Sequence, residues 1–282
     1  KVFAVKNDLG KVVYEICTDY RDLEQFYKSK YCQAFLNKAF YERLISAISN
    51  EAVCLIIGTP CVLSGIKNTL LAQKAKLTSC IFVDLVCHGV MSQSVYHTHL
   101  EECKKRWGGV VTQHYFRYKR AVTKDCPEGS HWNLYKVNNE IIIKKSDDDY
   151  YMQTYFADLA MRETCYCCQF TGTNRIGDIT IGDFNNAHIL CSQFDGLRSV
   201  SLVLVNTDKG QRFIDECNNN TVNLQPVDIK LLQKFNTPLT APIKRPFQRS
   251  LFYTFYNSLG LSRTVSLLNY KYYLRKIIVA FG

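Results

Sequence analysis

The chain has 282 residues, 47% of them hydrophobic and 13% aromatic, enough for a sizeable core in one large or two modest domains and unlike a disordered polypeptide. No apolar run approaches the roughly 20 residues that cross a bilayer, so no transmembrane segment is expected. The net charge of +10 comes from 35 Lys+Arg against 25 Asp+Glu. These charges are scattered, with no basic run of about five to eight residues, so nucleic acid is not expected as a partner. Such a surface suits an acidic electron carrier or a phosphorylated substrate instead.

Thirteen cysteines are many for a chain of this length. The count is odd and no export signal opens the chain, so metal binding in a reducing, cytoplasmic compartment is expected rather than disulfides. The chain opens at Lys1 on a strand-like Val2-Phe3-Ala4-Val5 without a methionine, as a piece of a longer protein would.

In chain order, Glu51 to Gly58 predicts a short buried strand ending at the turn Gly58-Thr59-Pro60-Cys61. Leu63 to Lys74 predicts a helix, with Leu63, Ile66, Leu70 and Leu71 at helical spacing. Ser79 to Val86 predicts a second apolar strand, broken by Cys87-His88-Gly89. Together they form a β-loop-α-β unit whose two strands are expected to be parallel neighbours. A helix from Ser92 to about Arg106, closed by Gly108-Gly109, comes next, then a strand over Val110 to Lys119. Leu134 to Lys145 reads as a hairpin turning near Asn138-Asn139. Asp147, Asp148 and Asp149 predict the start of a helix over Tyr150 to Arg162. Strands over Asp178 to Asp183 and Ser199 to Asn206 precede a helix from Asp208 to Cys217. Beyond Gln225, prolines at 226, 238, 242 and 246 lead into the aromatic, basic stretch Phe247 to Leu259 and a helical tail over Leu261 to Ile278. That segment is expected to pack on the main domain, ordinary core packing being favoured over a membrane-surface role. The fold class is therefore α/β with α+β elements: a mixed, largely parallel sheet with flanking helices, a core domain over residues 1–225 and a helical appendage over 226–282.

Four cysteines stand out by position. Cys61 follows the turn at one strand end, Cys87 ends the next strand, and Cys165 and Cys168 form a C-x-x-C pair in a loop. Adjacent parallel strands would bring Cys61 and Cys87 out on one sheet edge, where α/β folds place ligands. Iron–sulfur clusters take cysteine thiolates, and a two-residue spacer lets both sulfurs of a pair face one centre. Spacing alone leaves open a zinc ion held by four cysteines, and pairings through Cys167. Cys17, Cys54, Cys80 and Cys217 read as small buried hydrophobes.

The stretches GTPCVLSGIK (Gly58 to Lys67), VDLVCHGVMS (Val83 to Ser92), RETCYCCQF (Arg162 to Phe170), RIGDITIGDF (Arg175 to Phe184) and SVSLVLVNTDKG (Ser199 to Gly210) resemble the coenzyme F420 hydrogenase/dehydrogenase beta-subunit family, in its C-terminal domain. Their order and spacing match over about Lys28 to Gly210. The chain departs from the family pattern at Val62, Met91 and Asn185-Asn186, where the family has Gln, Pro and Trp-Gly. The resemblance implies a 4Fe–4S cluster held by Cys61, Cys87, Cys165 and Cys168, and a flavin, FAD or FMN, with F420 or ferredoxin as external electron carrier. It further implies that Gly58, Thr59 and Pro60 lie against flavin or cluster. Ser29-Lys30-Tyr31 resembles the family's SKY motif, which makes Lys30 and Tyr31 cofactor-binding candidates along with Arg175 and Asn206.

His88 and Asp183 are the candidate acid–base groups, with Asp183 or Asp178 positioned to orient a ribityl hydroxyl or Arg175. Asp84, mid-strand, is expected to need a structural partner. The leading expectation is an iron–sulfur flavoprotein oxidoreductase, with an electron-donor protein or deazaflavin coenzyme, a small-molecule or sugar substrate, and a partner subunit or second copy as its partners. Two other classes share the pattern: a flavin-dependent sugar-modifying enzyme of polysaccharide biosynthesis, and a zinc-stabilised scaffold without redox activity.

Overall fold

The structure is a computed structural model that describes residues 1–8, 10–50, 52–118, 131–184, 187, 200–217 and 223–268. The expected features at Glu51, at Asn185-Asn186, at Ser199 and beyond residue 268 lie outside these. Nine strands are described: β1 (Val2–Asp8), β2 (Lys11–Cys17), β3 (Cys54–Gly58), β4 (Cys80–Leu85), β5 (Val111–Tyr115), β6 (Trp132–Val137), β7 (Glu140–Lys145), β8 (Ile179–Asp183) and β9 (Ser201–Val205). The helices are α1 (Lys38–Ser49), α2 (Pro60–Ala72), α3 (Gln93–Trp107), α4 (Tyr150–Phe156), α5 (Asp208–Cys217), α6 (Ile229–Phe235) and α7 (Arg249–Leu259), with residues 261–268 also helical.

Six strands form one mixed sheet in the order β2-β1-β3-β4-β8-β9. Its middle is parallel, β1 with β3, β3 with β4 and β4 with β8, and antiparallel pairs close both edges. The expected α/β class and parallel β3–β4 pair are both present. Alternation along these strands sorts the side chains by face. Ile56 and Phe82 join Leu44, Leu63, Ile66 and Leu70 of α1 and α2 on one side, while Ile57, Ile81 and Val83 meet Phe213 and Ile214 of α5 on the other. Burial on both faces is what makes β3 and β4 read as continuous apolar runs.

Strands β5, β6 and β7 form a separate antiparallel sheet. It turns at Asn138, whose φ of 53° is a backbone conformation that asparagine tolerates. Within it, His114 of β5 is 2% exposed and stacks on its cross-strand partner Tyr135 of β6 with ring centroids 4.1 Å apart. Burial, reinforced by nearby His99, holds its imidazole down to about 3. The folded pKa is depressed, so the stability it contributes is whole above about pH 6.5 and is lost as pH falls toward 3, at up to ~1.4 kcal/mol per unit. Urea unfolding between pH 6.5 and 4 is expected to lose stability more steeply in the wild type than in His114→Phe.

Helix α4 stops at Phe156 rather than running on to Arg162. The chain reverses through Asp158, at φ 55°, and lays Met161 antiparallel against Met91. Tertiary pairing overrides a helical pattern that the sequence carries only in part. The C-terminal segment is built into the core: Phe252, Leu261 and Val265 share one cluster with Val12, Met91 and Tyr151, and Leu232 and Leu239 pack on Phe184 and Leu202. Cys17, Cys54 and Cys80 are buried as expected, whereas Cys217, in the last turn of α5, is exposed. Among the described residues no helix is long and apolar enough to cross a membrane.

Candidate functional site

Because β3, β4 and β8 run parallel, the segments after them leave the same edge of the sheet. Thr59 caps α2, Pro60 takes its first position, where a missing N–H costs nothing, and Cys61 follows in the first turn. The Thr59 hydroxyl stands 3.5 Å from the Cys61 Sγ. Helix N-termini favour negative charge, which suits a thiolate there.

The Cys87 loop and the Cys165–Cys168 loop are fastened together by backbone. Arg162 N–H donates to Val90 O at 2.9 Å, and Ser92 N–H to Ala160 O at 2.9 Å. Gly89 packs closely between the two loops: a methyl group built on it would sit 3.6 Å from the Cys165 Cβ and 3.3 Å from the Met161 Sδ. The result is one cavity of about 440 Å³ with Cys61, Cys87, Cys165, Cys167 and Cys168 in its wall, completed by Thr237, Pro238, Pro242 and Ile243 of the C-terminal segment. Burial, then the neighbouring Cys61, Cys165 and Cys168, pushes the Cys87 thiol up to about 12. Among the described residues, no three His, Cys, Asp or Glu side chains are gathered in an arrangement that holds a metal ion. The thiols stand instead around the wall of the cavity. Cysteine thiolates of this kind would suit an iron–sulfur cluster or a zinc ion.

The CxxC loop is held from behind. Arg249, 8% exposed, donates from Nε to Glu163 Oε2 at 3.1 Å and from a terminal nitrogen to Leu159 O and the Tyr166 hydroxyl at 2.8 and 3.0 Å. Arg245 adds a 2.8 Å hydrogen bond to Glu163 Oε1. Charge-assisted bonds of this kind contribute about 1.5–3 kcal/mol. Arg249→Ala is expected to lower the unfolding free energy by about 2 kcal/mol and to accelerate thiol labelling of Cys165 and Cys168, read by mass spectrometry.

A second cavity of about 470 Å³ lies on the other side of the Cys87 loop. The two share Thr59, Cys87, His88, Gly89, Val90, Thr237 and Pro238. Lys30, Tyr31, Arg117, Tyr155 and Asp183 complete much of its wall. Tyr31 stacks on Tyr155 at 4.5 Å, and Arg117 pairs with Asp183. His88 donates from Nε2 to Asp158 Oδ1 at 2.7 Å, which orients its ring on the shared wall.

Of the predicted cofactor residues, Lys30, Tyr31, Thr59 and Pro60 line one cavity or both, as do the acid–base candidates His88 and Asp183, while Gly58, Arg175 and Asn206 line neither. Gly58 lies against the Tyr14 hydroxyl, where a Cβ would come within 2.2 Å of it. The Asn206 amide donates to Gly177 O and the Thr180 hydroxyl, bracing β8. Arg175 was expected to be oriented by Asp183 or Asp178; its carboxylate is Asp84. The pair is buried at 2.8 Å, and Arg175 also donates to Phe170 O and Leu85 O. The other Asp84 oxygen accepts the N–H groups of Ile176 and Gly177, so the expected structural partner of Asp84 is this arginine and turn. Asp178 accepts from Phe82 N–H and Thr207 instead. Arg117, Tyr155 and the Thr237-Pro238 wall were missed as site residues; the prolines beyond Gln225 marked the neighbourhood of Thr237-Pro238 alone.

An α/β sheet with a thiol-lined cavity at its carboxyl edge defines the class of protein. Over residues 52–230 the sequence matches the family described as the C terminus of the coenzyme F420 hydrogenase/dehydrogenase beta subunit, and the chain belongs to that family. The family name is that of part of an oxidoreductase. Among solved structures, a chain in the F420-reducing [NiFe] hydrogenase complex from Methanosarcina barkeri, studied by xenon derivatization, is similar at 12% identity with a TM-score of 0.49; the match covers 84% of this chain and 75% of that one. No curated protein matches the sequence.

Proposed function

We propose that this chain is an iron–sulfur flavoprotein that moves electrons between a flavin and a 4Fe–4S cluster, with Cys61, Cys87, Cys165 and Cys168 as cluster ligands. The observation that carries the reading is the common wall of the two cavities: one side is thiol-lined, the other aromatic and basic, and only the loop from Cys87 to Val90 and a few neighbours stand between them. A flavin so placed would exchange two electrons with a substrate and one at a time with the cluster. Tyr31 and Tyr155 offer an apolar face for a planar ring, Lys30 and Arg117 offer charge for a phosphate, and Thr59 reaches both sides. His88, held by Asp158, and Asp183, held by Arg117, are the groups placed to orient or protonate a substrate. F420 or ferredoxin is the external carrier in this reading, the compartment is the reducing cytoplasm, and the net charge of +10 favours an acidic partner.

Anaerobically purified protein is expected to be brown, with iron and labile sulfide in equal amounts, about four of each per chain, together with a releasable flavin. One zinc per chain, no sulfide and a colourless solution would replace this reading with the scaffold.

A further inference from the structure

A third cavity, of about 410 Å³, lies on the far side of Ser29-Lys30 from the second. It is lined by Lys6 and Asp8 of β1, Gln25, Ser29 and Lys30, residues 112–115 of β5, and Lys136 of β6. Its size is that of a small-molecule site. We propose that it is a separate binding site for the phosphoryl group of a small phosphorylated molecule.

The wall of this cavity carries a net positive charge. Three lysines from three different segments face the same space, and Asp8 is the one carboxylate in its wall. Among the described residues none of the three lysines forms a salt bridge. Lys30 is the most committed of them. Its ammonium donates to Phe26 O and Tyr27 O, both at 2.8 Å, and an ammonium has a third hydrogen to give. Burial holds its pKa down to about 8, with nearby Cys32 offsetting only part of the cost of taking the charge out of water. Lys6 also helps hold the nearby Glu15 carboxyl low and Lys136 is exposed, so the lysines do not strain one another; an anion bound among them is attracted by all three. Neutral hydrogen-bonding groups on Gln25, Ser29, Thr112 and Gln113 surround the lysines, as the hydroxyls of a polar phosphorylated ligand would require. His114 in the same wall is held neutral by burial and adds no charge. Ser29 and Lys30 also line the second cavity, so this segment is the wall between the two.

The site does not depend on a cluster in the thiol cavity. Titration calorimetry of the intact chain with inorganic pyrophosphate tests it. Saturable binding is expected, weakened about tenfold or more in the double variant Lys6→Ala with Lys136→Ala, since each charge-assisted contact is worth roughly that factor. Lys104→Ala with Lys105→Ala removes two exposed charges from the last turn of α3 and is expected to bind like the wild type. Melting curves confirm that both variants fold. No saturable binding, equal affinity in the wild type and the cavity variant, or an equal loss in the α3 variant would overturn the site. Citrate binding as tightly as pyrophosphate would overturn the phosphoryl assignment. Iron and sulfide measured on the same samples report on the thiol cavity alone, so failure of one reading is distinguishable from failure of the other.

Discussion

Cys168→Ser is expected to bring iron and labile sulfide from about four per chain to below about one, with loss of the broad visible absorption. Serine fills nearly the same volume, so the wall of the cavity stays intact while one thiolate is removed. Its hydroxyl is a much weaker acid than a thiol and a harder, poorer ligand for cluster iron. The informative contrast is Cys167→Ser. Cys167 lines the same cavity and is exposed, but its Sγ lies 3.9 Å from Glu163 O and Thr164 O, along its own turn. Iron content in Cys167→Ser is expected to match the wild type. Loss of iron from Cys167→Ser with retention in Cys168→Ser would reverse the ligand assignment within the loop.

The largest stability effect is expected at Arg175. Its side chain is 1% exposed and that of Asp84 is 0% exposed. Arg175→Met leaves a carboxylate with no counter-ion in the centre of the sheet, and removing one member of a buried pair costs about 3–5 kcal/mol. The loss is expected to appear as a lower urea midpoint with an unchanged slope. The double variant Asp84→Leu with Arg175→Met is expected to recover part of that loss, because no charge is then left buried. It should not recover all of it. The Ile176 and Gly177 N–H groups would lose their acceptor, and a Cβ at Gly177 would already meet Asp84 N and Ile179 O at 2.7 Å, so the turn has no room to relax. If the single variant loses under about 1 kcal/mol, the turn after the CxxC loop is not held by this pair.

The difference between Arg175 and Lys30 shows how far motif reading reaches. Both belong to stretches that resemble family motifs, and both were expected to touch a cofactor. Lys30 lines two cavities, whereas Arg175 is a strut under the loop that carries the cysteines. A one-dimensional pattern marks a residue that the fold requires, without separating contact with a ligand from support of the residue that makes contact.

The sequence alone determined the parallel β3–β4 pair, the α2 and α3 segments and the turn at Asn138, and it singled out four cysteines that line one cavity. Each is written in local signals: apolar runs, helical spacing, capping residues, a C-x-x-C spacer. Only the tertiary structure decided that α4 ends early, that the C-terminal segment walls both cavities, that Arg117 and Tyr155 join Tyr31, and that Asp84 belongs to Arg175. Those outcomes depend on pairings between segments tens of residues apart, such as Met91 with Met161 and Arg117 with Asp183. Their free energy arises from contacts that exist only once the chain has folded, so no window of neighbouring residues contains it.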